Sequence, residues 1–455
     1  MSKPEALLHI DDLMTFMDAS SVNFLAIQTI RRRLEAADFE RLDQSEQWHI
    51  EPGGKYYVIK NDSAIFAFVA GSGTPAEGFR IISAHSDSPG FRIKPNSEIA
   101  APGKTLKLNT EVYGGPILYT WFDRPLSISG RVALDSGDPL HPEMRLVDFK
   151  RPLAVIPHLA IHFNRAVNEG NPLSVQKDMK PVLGIWERDA FEACLEKGGV
   201  IKCLVAEELQ VEPERILSME LCLYPFAKAR LAGAHYEYLE SARIDDLSMA
   251  FCGLEALLRY YGREDKAAHQ SLFSSKRDLY DPRPTNVLAI FDNEETGSGT
   301  RQGAASPVLC NLLERLSDGR EDFFRRLERS FMISADDAHA WHPNYNEKYD
   351  PTNHPVIGGG PVVKINANCK YMTDSRGAAV FAALCREAEV GCQWFVNHAD
   401  VAGGSTLGNI LTSQMDLAGV DVGCAIWAMH SACETAGVRD HEDMERVFEA
   451  FFAQD

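Results

Sequence analysis

The chain has 455 residues, enough for two or three domains, because a single core stops growing at roughly 250–300 residues. Hydrophobic residues at 45% and charged residues at 24% are globular proportions and exclude a disordered or fibrous chain. A net charge of −19 opposes binding to nucleic acid or to anionic lipid.

No stretch approaches the roughly 18 uninterrupted apolar residues of a membrane span. Asp11, Asp12 and Asp18 interrupt the N-terminus where a signal peptide needs an apolar run, so a soluble, cytoplasmic protein is expected. Ten cysteines lie between Cys194 and Cys433 without a Cys-x-x-Cys pair, which points to reduced, mostly buried thiols rather than a zinc ribbon or a redox dithiol.

In chain order, Leu13, Phe16 and Met17, then Phe24, Leu25, Ile27 and Ile30, recur at helical spacing, with Asp18 to Ser21 as the break between two helices. Tyr56 to Lys60, Ala64 to Val69 and Gly78 to Ser83 read as strands, the last running into His85-Ser-Asp87. From residue 98 to 235 the texture changes to short strands punctuated by Gly and Pro (KTLKLNTEVYGG, ILYTWF, PLSISGRVAL). This predicts an inserted, β-rich domain between the two parts of another domain, residues 1–97 and 236–455. In the last part, a helix opens at Asp245 or Asp246, and buried strands end in acids at TNVLAIFDNEE and SFMISADDAHA. VVKIN is a strand, DSRGAAVFAALCREAEV a helix, CQWFVNHAD a strand, and VDVGCAIWAMH a strand ending in His430. Such alternation predicts an α/β fold with a mostly parallel sheet flanked by helices, whose ligands bind at the carboxyl ends of strands.

The residues placed there are His85 and Asp87, Asp245, Glu294 and Glu295, Asp336, and His430. One strand-end Asp alone is more often a turn former or helix cap, and one His more often a core residue. Gathered in one domain they carry more weight, because neighbouring carboxylates beside apolar runs repel one another unless a cation or proton offsets them. Two imidazoles with several carboxylates suit zinc, manganese or cobalt, and are too rich in nitrogen for calcium. The inventory suffices for two ions sharing a carboxylate. Asp87, two residues past His85, is placed to orient its ring, and adjacent Glu294 and Glu295 diverge, so one can bind metal while the other acts as a base.

The segments HSDSPGFRIKP, RIDDL, FDNEETGS, SADDAHAWHPNY, GPVVKIN, AGGSTLGNI and AMHSACE, in this order, resemble the aspartyl aminopeptidase family of co-catalytic zinc exopeptidases. The resemblance spans roughly residues 10 to 450. It implies that His85, Asp245 and Asp336 hold one metal and Asp245, Glu295 and His430 the other, with Asp245 bridging. It also makes Glu294 the general base and Asp87 the orienter of His85. The doublets Asp245-Asp246 and Asp336-Asp337 stand where relatives have one acid, and the flanking residues favour the first of each. The insert's IPHLAIHFNR resembles the segment whose histidine, here His162, reaches into a neighbouring subunit's active site; without the resemblance, His162 is as readily a strand residue that packs. His339 corresponds to a substrate-contacting histidine, and Lys364 and Tyr371 to polar contacts for an acidic first residue. The resemblance thus implies an aminopeptidase releasing N-terminal Asp or Glu from peptides with a free N-terminus by a two-metal activated water, assembled as a homo-oligomer, commonly a dodecamer built from dimers. The metal expected is Zn2+, with Mn2+ or Co2+ able to serve.

Four other readings compete. Gly297-Ser-Gly299-Thr-Arg-Gln-Gly303 evokes a dinucleotide fingerprint, but its spacing is G-x-G-x-x-x-G, and Glu294 and Glu295 sit where a pyrophosphate needs positive potential. A di-metal deacylase, aminoacylase or carboxypeptidase shares the metal chemistry and differs in pocket residues. A catalytically silent scaffold has no need of an unligated Glu294. A serine hydrolase lacks G-x-S-x-G, and Ser405 has no His partner nearby in sequence.

Overall fold

A computed structural model describes residues 5–71, 77–262 and 284–454, with the side chains of residues 5–8 left aside. The chain divides into two compact units, residues 1–87, 229–429 and 434–455 in the first, and residues 88–228 and 430–433 in the second.

The first unit is built on a nine-stranded sheet. Its strands are β1 (Glu40–Arg41), β2 (Lys55–Lys60), β3 (Ala64–Val69) and β4 (Phe79–His85), then β13 (Thr285–Phe291), β14 (Phe331–Ala335), β16 (Val362–Ile365), β17 (Gln393–Val396) and β18 (Gly419–Gly423). They lie in the order β1-β2-β3-β13-β4-β14-β18-β16-β17. Five of the eight pairings are parallel, including the central run β13, β4, β14, β18. The strands are apolar on both faces and their side chains alternate between two cores. Ile82, Ala84, Leu288 and Ile290 join one core with the helices Glu5–Ala19, Asn23–Ala36, Ile244–Gly262, Ser375–Glu387 and Val438–Phe452. Phe79, Ile81, Val287, Ala289 and Phe291 join the other with the helices Val308–Arg315, Gly319–Glu328 and Leu407–Thr412. This is the α/β sandwich that the alternation of strands and helices predicts. A smaller sheet of the same unit joins β11 (Arg230–Ala232), β12 (Tyr238–Ser241), β20 (Glu434–Gly437), β19 (Ala425–Trp427) and β15 (Ala338–His339).

The second unit carries a six-stranded sheet in the order β8-β7-β10-β5-β6-β9. Its strands are β5 (Gly90–Ala101), β6 (Thr105–Tyr113), β7 (Leu126–Leu134), β8 (Glu143–Asp148), β9 (Val182–Ile185) and β10 (Ile216–Pro225), and two helices, Arg188–Glu196 and Val200–Leu209, accompany it. The unit begins at Ser88 rather than residue 98, because β5 pairs with β6 and β10. It returns at Ala229 rather than residue 236, because β11 pairs with β12 of the first unit.

Three local readings need correction. ILYTWF is not a strand but includes a 3-10 turn, Leu118–Trp121. VDVGCAIWAMH is not one strand: it breaks at Cys424 into β18 and β19, which belong to different sheets, and His430 stands past β19 in a turn at φ 68°. An unbroken apolar run cannot reveal such a break, since both halves are buried. The ten cysteines form no disulfide; three are buried, six part-buried and Cys369 exposed, so most are only partly covered. No described helix is long and apolar enough to cross a membrane.

Candidate active site

The site sits at the carboxyl ends of three neighbouring strands. β13 and β14 flank β4 in parallel, with Phe291 opposite His85 and Ser334 opposite Ser83, so the residues after each strand emerge side by side. His85 closes β4, Glu294 and Glu295 follow β13 on a 3-10 turn, and Asp336 follows β14. Asp245 and Asp246 arrive at the start of the helix Ile244–Gly262, before its backbone becomes regular, and the peptide between them is cis.

His85, Asp245, Asp246 and Asp336 are all buried, and each offers a ligand atom within 4.8 Å of the others. His85, Glu294 and Glu295 form a second such group. The glutamates therefore converge on the same ring, rather than diverging, because they lie on a turn and not on an extended strand. The His85 Nδ1 is 3.0 Å from the carbonyl oxygen of Asp87, an acceptor only, so Nδ1 carries the proton and Nε2 the lone pair. That Nε2 is 3.4 Å from Asp245 Oδ1 and 4.0 Å from Asp246 Oδ2. A lone pair facing carboxylate oxygens is repulsive until a cation or a proton lies between them. The donor set thus fits a divalent ion of the zinc type: imidazole nitrogen, several carboxylates and little solvent.

Electrostatics tell the same story for the metal-free site. Burial opposes a charged His85, yet Asp246, Asp245 and Asp87 push its pKa well above the ordinary value. Burial, reinforced by Asp336, Asp87 and Asp245, raises the Glu294 carboxyl to about 8. Burial, with Asp245 close by, drives Glu295 well above its usual range. Burial likewise raises Asp336, against the pull of Lys364. Each of these shifts has the same cause, burial of carboxyls crowded beside one another, which a cation would offset.

The supporting contacts extend what the sequence suggested. The Asp87 carboxylate is 3.4 Å from His85 Nδ1, farther than its own carbonyl, and its two oxygens accept the backbone N–H groups of Glu294 and Glu295 at 3.1 and 3.2 Å. Asp87 therefore fixes the turn that bears both glutamates as well as the ring. Of the Asp doublets, Asp246 Oδ2 accepts the His85 backbone N–H at 3.0 Å, leaving Asp245 to face the ring. Asp337 is drawn elsewhere by the Ser248 hydroxyl at 2.7 Å and the Cys424 N–H at 3.3 Å. Glu434, buried at the end of AMHSACE, accepts the Asp245 N–H at 3.2 Å. Sequence reasoning passed over it, although it sits in a motif already singled out.

The remaining predicted residues lie in different settings. Lys364 is buried on β16, its Nζ 3.5 Å from Asp336 Oδ1 and 5.8 Å from the Tyr371 ring centre. Asp336 and Asp421 outweigh burial and keep its ammonium charged. His339 ends β15, exposed, edge-on to Phe395 at 5.8 Å. His430 belongs to the four-residue segment grouped with the second unit, where its Nδ1 lies 3.1 Å from the Gly115 carbonyl oxygen, which places the lone pair on Nε2. His162 is exposed in a turn of the second unit, not packed in a strand. Ser405 donates to Asn409 Oδ1 at 2.7 Å. The glycine run after β13 serves a tight turn: Gly297 has φ 90°, and a Cβ at Gly303 would stand 2.3 Å from the Ser298 carbonyl oxygen.

An imidazole–carboxylate cluster at the carboxyl ends of parallel strands defines a metal-dependent enzyme site of the α/β class. Comparison with known proteins makes the class specific. The profile of the family described as Aminopeptidase I zinc metalloprotease (M18) matches residues 16–452. The chain is 46% identical over 447 residues to the probable M18 family aminopeptidase 2 of Clostridium novyi, covering 97% of this chain and 98% of that one. To the protein of the same name from Pseudomonas aeruginosa it is 41% identical over 445 residues, covering 97% of each. Among solved structures, that of the Ape4 and Nbr1 complex superposes with a TM-score of 0.91 at 34% identity, covering 98% of this chain and 86% of that one. The mApe1 dodecamer of S. cerevisiae gives 0.82 at 25% identity, covering 97% and 95%. The chain belongs to the M18 family of zinc metalloproteases and is a zinc-dependent aminopeptidase. The dinucleotide, serine-hydrolase, deacylase and silent-scaffold readings fall away with that assignment.

Two outcomes follow from this geometry. A Cβ at Gly423 would stand 2.0 Å from the Asp336 carbonyl oxygen, so Gly423→Ala is expected to displace Asp336 and lower kcat/KM by about a hundredfold, the scale of loss an ångström-sized misplacement can bring; near-normal steady-state kinetics would contradict it. A carboxyl whose pKa is higher folded than unfolded stabilises the fold fully below its unfolded value, and that contribution is lost as pH rises through the folded one. With Glu294 raised from 4.5 to about 8 in the metal-free site, EDTA-treated Glu294→Gln is expected to gain in Tm over treated wild type as pH goes from 5 to 8.5. Parallel Tm curves would refute the burial argument.

Proposed function

We propose that this aminopeptidase works through two divalent ions, zinc by family and replaceable by manganese or cobalt. The ligand sets follow the resemblance: His85, Asp245 and Asp336 for one ion, Asp245, Glu295 and His430 for the other. The observation that carries the reading is the convergence of His85 Nε2, 3.4 Å from Asp245 Oδ1, with several buried carboxylates, a crowding of ligand atoms that a cation makes favourable. When bound, the ions supply acidification of the attacking water and polarisation of the scissile carbonyl.

The chain's own residues do the rest. Glu294, half-buried on the turn after β13 and beside the carboxylate cluster, is the proton carrier of this reading. It takes the proton of the water that attacks the scissile carbonyl and passes it to the leaving amine. Asp87 holds the turn of Glu294 and Glu295 by two backbone hydrogen bonds and so fixes where that proton is received. Peptides with a free N-terminus are the substrates of such an enzyme, and we assign Asp and Glu as the preferred first residues, with His339, Tyr371 and Lys364 toward the substrate. Lys364, a buried ammonium beside the carboxylate cluster, supports that preference through charge. Its 3.5 Å contact with Asp336 favours a second role, holding that carboxylate in place.

The assembly proposed is a homo-oligomer, a dodecamer built from dimers, in the cytoplasm, in which His162 completes a neighbour's site. Two observations support it. The solved mApe1 of S. cerevisiae is a dodecamer, and the apolar residues around His162 are exposed in the single chain, Leu159 at 59%, Ile161 at 48% and Phe163 at 81%.

Hydrolysis of free and N-acetylated peptides beginning with Asp, Glu, Leu or Ala, before and after metal removal and readdition, tests the chemistry. Zinc-restored release only from free N-termini, with Asp and Glu ahead and no activity in Glu294→Gln, is the expected result; equal or faster release of Leu or Ala refutes the acidic preference. In the same panel Lys364→Met is expected to erase the acidic preference while sparing neutral peptides, whereas a uniform loss assigns Lys364 to Asp336 alone. His162→Ala is expected to stay assembled by light scattering yet lose activity about a hundredfold, on the scale typical of lost general acid–base or electrostatic groups. An active variant would remove the neighbour's contribution.

A further inference from the structure

A second constellation lies in the same unit, separate from the one described. Asp337 follows β14 one residue past Asp336, Cys424 sits at the break between β18 and β19, and His441 is in the first turn of the helix Val438–Phe452. Far apart in sequence, they each offer a ligand atom within 4.8 Å of the others. All three are fully enclosed, at 2%, 0% and 0% exposure. We propose that Asp337, Cys424 and His441 form a further buried site for a divalent cation of the zinc type, distinct from the ions of the catalytic cluster.

The donor chemistry supports it. Carboxylate, thiol sulfur and imidazole nitrogen together make a zinc-type set, and the thiolate excludes magnesium and calcium. The His441 Nδ1 lies 3.1 Å from the Gly437 carbonyl oxygen, so it carries the proton and leaves the lone pair on Nε2. That Nε2 is buried and makes no hydrogen bond with any described residue, a costly state for a polar atom unless something occupies it. Burial, with His9 nearby, pulls the ring's pKa down to about 4, so it is neutral near pH 7. Asp337 is held toward this side by the Ser248 hydroxyl and the Cys424 N–H. Another buried thiol stands close by: Cys252 Sγ is 3.5 Å from the His441 carbonyl oxygen.

Charge closes as well. On binding, the Cys424 thiol, which otherwise donates to the Asp440 carbonyl oxygen at 3.4 Å, gives its proton to solvent and becomes a thiolate. One thiolate, one carboxylate and a neutral ring then balance a dication, which is what burial demands.

The test reads the sulfur, because the catalytic ligands are nitrogen and oxygen only. Full-length protein is stripped with a chelator and titrated with Co2+ at pH 7, following the near-ultraviolet thiolate-to-cobalt absorption and the cobalt bound per chain. The expected result is a thiolate band in wild type that disappears in Cys424→Ser, weakens in His441→Asn and persists in Cys369→Ser, which removes the exposed thiol. Cys424→Ser should bind one equivalent fewer. No band in wild type, or a band that survives both Cys424→Ser and His441→Asn, overturns the assignment. Neither readout depends on peptide hydrolysis, so the catalytic reading can fail or stand separately.

Discussion

Mutual repulsion among buried carboxylates is the constraint around which the first unit is arranged. Asp245, Asp246 and Asp336 crowd around one imidazole, all of them buried. Like charges at such distances cost several kcal/mol in a medium of low dielectric. A fold that keeps them there must supply both rigid walls and a cation. The walls are the apolar strands β13, β4 and β14, buried on both faces, and a cation of the kind the zinc metalloprotease family uses would offset the charge. The same repulsion that destabilises the metal-free cluster becomes affinity for a divalent ion.

Strand order converts this into a defined geometry. β4 lies between β13 and β14 although some two hundred residues separate them in the chain, and the parallel register sets three strand ends level. Parallel strands need long connections, which leaves room for the intervening second unit and for the helices that cover both faces. The helix beginning at Ile244 then delivers Asp245 and Asp246 across those ends. Small contacts refine the placement: Asp87 spans the two glutamates, Glu434 holds the Asp245 backbone, and Gly423 lets β18 pass close to Asp336.

A layer of charge beneath the cluster has its own logic. Lys364 stands under Asp336, and the fully buried Asp421 beyond it accepts hydrogen bonds from the Thr406 hydroxyl and the Met372 N–H, each at 2.6 Å. A buried ammonium paired with one carboxylate and drawn by the charge of a second is costly to displace. Lys364 is thus part of the floor of the site, whatever it also contributes toward substrate.

Much of this was legible in the sequence, for a physical reason. Strands that are buried on both faces read as unbroken apolar runs, and the polar residue ending each run marks the sheet's carboxyl edge, so His85, Glu294, Glu295 and Asp336 could be singled out one strand at a time. The helices and the mostly parallel sheet followed from periodicity alone. What the sequence could not decide was everything that depends on which elements become neighbours. The break at Cys424, the turn that makes Glu294 and Glu295 converge, the contact between Lys364 and Asp336, and the hydrogen bond of Asp337 with Ser248 come from packing between segments far apart in the chain. Local propensity acts over a few residues, and these choices are made by contacts across hundreds. The amino-acid sequence determined the chemistry available at each strand end; only the tertiary structure decided which of those groups would face one another.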